Sequence, residues 1–181
     1  MLFRSDRSEL PCKLVGVGPG DVLPLSQHRR VEVFHSPHRV VCQGYAVIGQ
    51  RQKLKPEFAR LHQEEIILLR KAKAQISEAV ESIEVAFTGD AVIDVVDREP
   101  RVREANLLIM EVTFLGDDVS PQKARARGHI HLEDVVARAE LFRNTHILFT
   151  HFSARYSATQ VHEILAAKLP DSMKGRVTTL V

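Results

Sequence analysis

The sequence has few of the residues that define several large classes of protein. Of its 181 residues only Cys12 and Cys42 are cysteines, and they lack the paired spacing of a zinc knuckle. Two cysteines cannot form the network of bridges that holds small secreted domains together, so we expect free, buried thiols. No apolar run approaches the roughly 18 residues of a membrane span, and we expect no membrane association.

The first residues and the overall charge argue against two further classes. Residues 1–7 are rich in charge and lack the apolar centre of a signal peptide, so we expect a cytoplasmic protein. The formal net charge of +2 is too small to indicate a nucleic-acid-binding surface by itself. With 44% hydrophobic and 27% charged residues, the chain resembles ordinary folded proteins and can form one domain with a sizeable core.

Apolar runs and turn residues predict an α/β protein. We predict strands over 13–17, 31–33, 40–48, 83–88, 107–114, 147–149 and 177–181. We predict helices over 56–75, 132–142 and 157–169, the last with Ser157 as its N-cap, and a short helix within 94–104. Because strands and helices alternate in the second half, we expect a layered structure with a sheet and flanking helices.

Three polar side chains follow apolar runs, at positions where metal ligands are common. His151 follows the run 147–149, Asp90 follows the run 85–87, and His38 comes shortly after Phe34. Imidazole and carboxylate are zinc ligands, and a carboxylate can bridge two ions. Singly, each residue also fits a structural role, since Thr-Gly-Asp is a turn signal. Together they predict a metal site.

These residues resemble, in the same order, the motifs of the ribonuclease Z group of metallo-β-lactamase-fold hydrolases, which includes the tRNA 3′-processing endonucleases. The matching segments are His38 with Cys42 and Gly44-Tyr45, Phe87-Thr88-Gly89-Asp90, Glu111-Val112-Thr113, Gly128-His129 and His151-Phe152-Ser153-Ala154-Arg155-Tyr156. The last segment is the most specific, and the resemblance runs from about Pro11 to the C-terminus. It implies an α/β metallo-β-lactamase-like αββα sandwich, with a mixed sheet and flanking helices.

One motif of this family, His-x-His-x-Asp-His, is missing from the 181 residues. It supplies most ligands of both zinc ions, and the nearest candidates, His28 and the segment 35–38, lack its aspartate and its spacing. Residues i and i+3 of a strand face opposite sides, so we expect His35 to be a structural or surface residue. We therefore expect residues 1–181 to form a single, incomplete domain that corresponds to the C-terminal half of such a hydrolase.

The resemblance implies a role for each matched residue. His38, Asp90 and His151 would hold zinc: two ions if the site were completed, and one or none in this chain alone. Glu111 would orient His129, which would protonate the leaving alkoxide. Ser153 and Arg155 would bind the substrate phosphate. Without the resemblance, Glu111 fits a solvated charge, Arg155 an ion pair and Tyr156 a packing residue.

Differences from the family lie beside the motifs. Ala91 follows Asp90, Met110 precedes Glu111, and Ile130-His131 follows His129, so we expect altered hydrogen bonding around the site. The segment between Tyr45 and Asp90 is too short and too helical for the long Gly/Pro-tipped arm with which many bacterial members bind tRNA.

Two basic clusters, residues 51–55 and 123–127, each place three positive charges in what we expect to be loops. The second cluster directly precedes His129 and would attract a phosphate-rich substrate. An ordinary solvated loop is an equal alternative for this cluster and the preferred one for the first. Because no aromatic residues interleave either cluster, stacking on single-stranded bases is not indicated.

Two functions of different kinds remain open. The first is a zinc-dependent phosphodiesterase of ribonuclease Z type acting on an RNA-type substrate, with its missing ligands supplied by another chain or by an upstream segment. The second is a catalytically incomplete half domain that acts as a binding or oligomerising module. Half of a sandwich exposes an apolar face and an unpaired edge, so both functions predict a homodimer or another association that covers the sheet.

Overall fold

The computed structural model describes residues 14–181, whose strands form one seven-stranded mixed sheet. The strands are β1 (Val22–Ser26), β2 (Arg29–Ser36), β3 (Cys42–Leu54), β4 (Ser77–Phe87), β5 (Leu107–Glu111), β6 (His146–Thr150) and β7 (Val177–Thr179). They lie in the sheet in chain order, with antiparallel neighbours from β1 to β4 and parallel neighbours from β4 to β7. Parallel neighbours need crossover connections, which the helices of the second half supply.

The helices of the described residues are short. They are α1 (Gln63–Lys71), α2 (Asp94–Arg98), α3 (Pro100–Glu104), α4 (Pro121–Ala126), α5 (Leu132–Val136) and α6 (Ala158–Lys168), with 3-10 turns at Pro56–Phe58 and Ala139–Leu141. The predicted cap of α6 is confirmed: the Ser157 side chain accepts from Gln160 N at 3.3 Å, and the Gln160 side chain accepts from Ser157 N. No helix between residues 14 and 181 is long and apolar enough to span a membrane.

Helices cover one face of the sheet. Side chains alternate between the two faces of a strand, and a row that crosses four strands is fully buried: Ala46, Ala86, Leu108 and Ile147. Apolar residues of four helices belong to the same core: Val95, Val96, Val102, Leu132, Val135, Val161 and Leu165. The core therefore lies between β3–β6 and the helices α2, α3, α5 and α6.

The opposite face of the sheet is open. Tyr45 pairs with Phe87, Phe87 with Ile109, and Ile109 with Leu148, which forms an apolar row next to the buried one. None of these four residues belongs to the core cluster of residues 14–181, and Phe87 is 40% exposed. We call these four residues the open sheet face. An apolar sheet face normally packs against another layer of structure.

Several predicted elements differ from the observed ones. The predicted strand 13–17 is wrong for residues 14–17, which are irregular, while Lys13 and Cys12 lie outside the described residues. The predicted helix 56–75 consists of a 3-10 turn and the shorter α1, which buries none of its residues. Cys42 is a free, half-buried thiol, and burial followed by the charge of Asp90 raises its pKa.

Two elements were not predicted. Strand β1 contains Pro24 and is exposed almost throughout, so it lacks the apolar alternation that identifies a strand, and it lies at the sheet edge where proline is tolerated. Helix α4 lies where we expected a loop. Its signals are Ser120, whose side chain accepts a hydrogen bond from Lys123 N, and Pro121 in the first helical position.

The first basic cluster, residues 51–55, is also not a loop, since most of it belongs to β3.

Candidate active site

Four strands that run in the same direction end at one edge of the sheet. Strands β2 and β4 both pair antiparallel with β3, and β5 and β6 are parallel to β4. His38 lies just beyond β2, Asp90 just beyond β4 and His151 directly after β6, while Glu111 is the last residue of β5. The carboxyl ends of parallel strands are where open α/β sheets place their sites, so the topology brings these residues together.

His129 reaches this edge from the loop between α4 and α5. Gly128 has a φ of 89°, and a Cβ at this position would lie 2.7 Å from Nε2 of His38. Glycine is required for both reasons, because it tolerates the left-handed region and allows the close approach. The loop is tied to β5 by Ile130 N, which donates to Glu111 Oε2 at 3.2 Å.

Glu111 is a buried carboxylate with a complete set of donors. Its side chain is 1% exposed. Oε1 accepts from Ala91 N at 2.9 Å and lies 2.8 Å from His129 Nδ1, while Oε2 accepts from Thr113 Oγ1 at 2.6 Å. A solvated glutamate is therefore the wrong interpretation of this residue. Because an ionised carboxylate only accepts, His129 must hold a proton on Nδ1, which leaves Nε2 free for chemistry.

His151 has a strained backbone and an oriented ring. Its φ of 61° lies in the left-handed region, which non-glycine residues rarely adopt outside functional sites. Its Nδ1 lies 2.9 Å from Thr113 Oγ1. The single hydroxyl proton of Thr113 is donated to Glu111, so Thr113 accepts from Nδ1–H of His151. The lone pair of His151 is thereby on Nε2, which lies 3.6 Å from Asp90 Oδ1.

The histidines and acids of the site form two overlapping groups of possible metal ligands. Donor atoms of His38, Asp90 and His129 lie within 4.8 Å of one another, as do those of Glu111, His129 and His151. His129 is common to both, and its ring centroid lies 5.4 Å from that of His38 and 5.3 Å from that of His151. The three predicted ligands thus come to one site, but His129 lies between His38 and His151.

The chemistry of these donors fits a divalent metal. Nε2 of His38 is buried and has no hydrogen-bond partner within residues 14–181, which is a costly arrangement unless another group binds it. Nδ1 of His38 accepts a long hydrogen bond of 3.3 Å from Val40 N, so the neutral ring carries its proton on Nε2. To serve as a ligand through Nε2, this ring must move its proton to Nδ1 and give up that bond. Two imidazoles and a carboxylate are ordinary ligands of zinc.

The loop after β6 holds the two predicted phosphate-binding residues. Arg155 Nε donates to Ser153 Oγ at 3.0 Å, and the Arg155 guanidinium forms an ion pair with Asp118. Tyr156 donates its hydroxyl to Asp118 Oδ1 at 2.9 Å and accepts from Leu115 N at 3.2 Å. The hydrogen bond from Arg155 holds the pKa of Asp118 below its usual range. The ion pair foreseen for Arg155 therefore exists, and a phosphate would compete with Asp118 for this arginine.

The second basic cluster divides into residues with different surroundings. Arg125 pairs with Asp134, whereas the guanidinium of Arg127 lies over the ring of Phe114, 5.5 Å from its centroid. Lys123 forms no ion pair within residues 14–181 and is exposed. His35, on β2, is exposed and belongs to neither ligand group, as we expected from strand geometry.

Sequence reasoning missed three residues that shape the site. Thr113 links Glu111 to His151. The sequence did contain a signal for it, because Thr113 is the last residue of the family-like segment Glu111-Val112-Thr113. Gly128 belongs to the family-like segment Gly128-His129, although nothing in the sequence showed that it lies close to His38. Asp118 had no signal, since its partner Arg155 lies 37 residues away in the chain.

Comparison with known proteins shows that the chain is similar in sequence to two plant proteins. Over 97% of its length the chain is 40% identical to the tRNase Z TRZ1 of Arabidopsis thaliana, and the match covers 63% of that protein. Over 95% of its length it is 31% identical to the chloroplastic tRNase Z TRZ2 of Arabidopsis thaliana, of which it covers 49%. The chain thus spans between about half and just under two thirds of these relatives. No model of a protein family matches it.

A solved structure with a similar fold is the metallo-beta-lactamase fold protein YhfI from Bacillus subtilis. The TM-score is 0.55 with 16% sequence identity, and the match covers 92% of this chain and 52% of that protein. At this identity the likeness concerns the fold alone. The described sheet with its flanking helices therefore corresponds to about half of that structure.

Proposed function

We propose a function from the premise that this chain is a ribonuclease Z-type protein with the metallo-β-lactamase fold, a mixed sheet with flanking helices. The resemblance and the fold class predicted from the sequence are both confirmed. The proposed activity is metal-dependent hydrolysis of a phosphodiester bond in RNA of the tRNA class, for which the relatives are named. The observation that carries this proposal is the hydrogen bond between buried Glu111 and His129, whose ring lies between those of His38 and His151.

The metal would be held by His38, Asp90 and His151. Their donors fit zinc, and with further ligands the site would accommodate two ions, whereas this chain by itself would hold one or none. Bound zinc would supply positive charge at the scissile phosphate and lower the pKa of water. Thr113 prepares His151 by holding its proton on Nδ1, whereas the buried Nε2 of His38 would become a ligand only after its proton moves to Nδ1.

His129 is the proposed general acid. With Nδ1–H donated to Glu111, the protonated ring carries its second proton on Nε2, which makes no hydrogen bond within residues 14–181. That proton would go to the alkoxide oxygen as its bond to phosphorus breaks. Glu111 acts as a positioning residue, because its buried charge fixes the ring and stabilises the imidazolium, while Ala91 N, Ile130 N and Thr113 hold the carboxylate in place.

Ser153 and Arg155 are the proposed phosphate-binding residues. They lie on the loop that directly follows His151, and Arg155 Nε already donates to Ser153 Oγ at 3.0 Å. Arg155 presents a planar fork that matches phosphate oxygens. Asp118 occupies part of this fork, so binding of the substrate requires the phosphate to share Arg155 with Asp118 or to displace it.

The site needs further ligands, and the open sheet face indicates where they would come from. The sequence has no His-x-His-x-Asp-His segment, and the apolar row of Tyr45, Phe87, Ile109 and Leu148 is only partly covered by residues 14–181. We propose that a second polypeptide layer covers this face, as a second copy of the chain or another association. The same face supports the second candidate function, a half domain that binds or oligomerises without catalysis.

Metal analysis combined with cleavage of a tRNA transcript carrying a 3′ extension tests the proposal. If a second copy of the chain completes the site, the purified chain should contain zinc and release the extension, and His151→Ala should lose both properties. The matched control is His35→Ala, which removes an exposed histidine outside both ligand groups and should leave zinc content and cleavage unchanged. A chain without bound metal and without cleavage would contradict the enzyme and leave the binding module.

A further inference from the structure

Phe114 is a buried aromatic ring beside two arginines. It is 4% exposed, and the guanidinium carbons of Arg127 and Arg155 each lie 5.5 Å from its ring centroid. The two guanidinium groups therefore lie no farther apart than twice this distance. A guanidinium stacked on an aromatic face is fixed in orientation, while the N–H groups along its edge stay available for hydrogen bonds.

The charges of these two arginines differ in their surroundings. Arg155 forms an ion pair with Asp118 and donates to Ser153, so much of its hydrogen-bonding capacity is already used. No carboxylate lies within ion-pairing distance of Arg127 among residues 14–181, and its side chain makes no hydrogen bond there. Arg127 therefore presents an uncompensated positive charge in a position that Phe114 holds.

The position of Arg127 is coupled to that of His129. Arg127 precedes Gly128 and His129 in the chain, and the ring centroid of Phe114 lies 6.3 Å from that of His129 in an edge-on arrangement. Phe114 also pairs with His131 through a backbone bridge, which ties the segment that carries the ring to the loop that carries Arg127 and His129.

We propose that Arg127 binds a phosphate of the RNA strand next to the scissile one, an inference that rests on the proposed function. The stacked fork donates hydrogen bonds to two phosphate oxygens while Phe114 keeps it beside His129. Arg155 and Ser153 then bind the scissile phosphate. Arg127 binds the neighbouring phosphate and so orients the RNA strand where it leaves the site. Arg127 acts on binding and positioning, not on proton transfer.

The test compares Arg127→Ala with Lys123→Ala, measuring cleavage of the extended tRNA transcript and binding of a fluorescein-labelled single-stranded RNA decamer. Both variants lose one exposed positive charge of the same segment, but only Arg127 lies over Phe114. Arg127→Ala should raise KM and weaken binding of the decamer roughly tenfold to a hundredfold, with kcat little changed. The slope of log affinity against log salt should fall by about 0.7.

Two further variants separate charge from geometry. Arg127→Lys should keep the salt slope but recover only part of the affinity, because an ammonium offers no fork. Phe114→Leu keeps an apolar side chain in the buried position and should weaken binding in the same direction as Arg127→Ala.

The outcomes distinguish this inference from the proposed function. If the unaltered chain cleaves RNA and Arg127→Ala matches Lys123→Ala in KM, affinity and salt slope, the role of Arg127 is overturned while the enzyme stands. If the unaltered chain neither binds nor cleaves RNA, the proposed function fails and this inference fails with it. A loss of affinity that is tenfold or more in Arg127→Ala, partial in Arg127→Lys and absent in Lys123→Ala supports the inference. Phe114→Leu should weaken binding too, although this ring also contacts Arg155.

Discussion

Nδ1 of His129 lies 2.8 Å from Oε1 of Glu111, and this carboxylate is 1% exposed and accepts hydrogen bonds from three further residues. Burial of a charge is costly unless it is paired and hydrogen-bonded, and here both conditions are met. The pair joins the end of β5 to the loop before α5, so it fixes the proposed general acid, His129, relative to the proposed metal ligands.

Glu111→Gln should weaken both the fold and the chemistry. The amide places an NH2 group where one oxygen accepted, so either Ala91 N and His129, or Ile130 N and Thr113, lose their acceptor. We expect the free energy of unfolding to fall by about 1 to 3 kcal/mol in urea denaturation. Cleavage of RNA, whose alkoxide needs a proton, should slow far more than hydrolysis of bis(p-nitrophenyl) phosphate, whose phenolate does not.

The control for this variant is Glu140→Gln, which changes an exposed glutamate. It should leave stability and both rates unchanged. Equal slowing of the two substrates by Glu111→Gln would show a purely structural role for this carboxylate.

Gly128→Ala should displace His38. The methyl group would lie 2.7 Å from His38 Nε2, and the φ of 89° adds backbone strain. Gly175→Ala is the matched control, since its φ is 80° and no atom lies within 4 Å of the added carbon. Both variants should lose about 1 to 2 kcal/mol of stability from strain, but only Gly128→Ala should lose bound zinc. Equal zinc content in both would exclude His38 as a ligand in this position.

Asp118 should make stability depend on pH in acid. The hydrogen bond from Arg155 holds its pKa below the usual range, so its contribution is present above the ordinary carboxyl pKa and is lost as pH falls towards the lowered value. Because the side chain is 43% exposed, solvent screening limits the effect to about 0.2 to 1 kcal/mol.

Thermal unfolding of Asp118→Asn between pH 6 and pH 2 measures this effect. The gap in melting temperature between the variant and the unaltered chain should be widest near neutral pH and should close in acid. Asp171→Asn, at a side chain that is 96% exposed, is the control for the loss of one negative charge. A gap that widens as pH falls would refute the assigned ion pair.

Phe87→Glu should reduce self-association of the chain. Phe87 is 40% exposed at the centre of the open sheet face, and a charge there opposes burial of the apolar row. Sedimentation velocity should show a shift from dimer to monomer. Leu141→Glu changes an apolar residue that is 42% exposed but lies outside this face, and it should leave the dimer intact. An unaltered chain that sediments as a monomer at every concentration would count against a homodimer.

The apolar runs and their polar ends were readable in the sequence because they depend on local order. The length of an apolar run such as 147–149 predicts a strand. A histidine or aspartate that follows such a run therefore lies at the end of that strand, and this holds without knowledge of the rest of the fold. Ser157 was readable as a cap for the same reason. Strand β1 and helix α4 were not, because an exposed edge strand with Pro24 and a helix of one and a half turns have almost no periodicity.

The sequence by itself indicated the α/β class and the polar residues that follow the strands, since these follow from periodicity, turn chemistry and motif order. Only the tertiary structure decided which of these residues meet. It placed His129 between His38 and His151, joined Asp118 to Arg155, laid Arg127 on Phe114 and left Phe87 open. Such contacts join residues that are far apart in the chain, and they depend on strand register and packing, which no local pattern encodes.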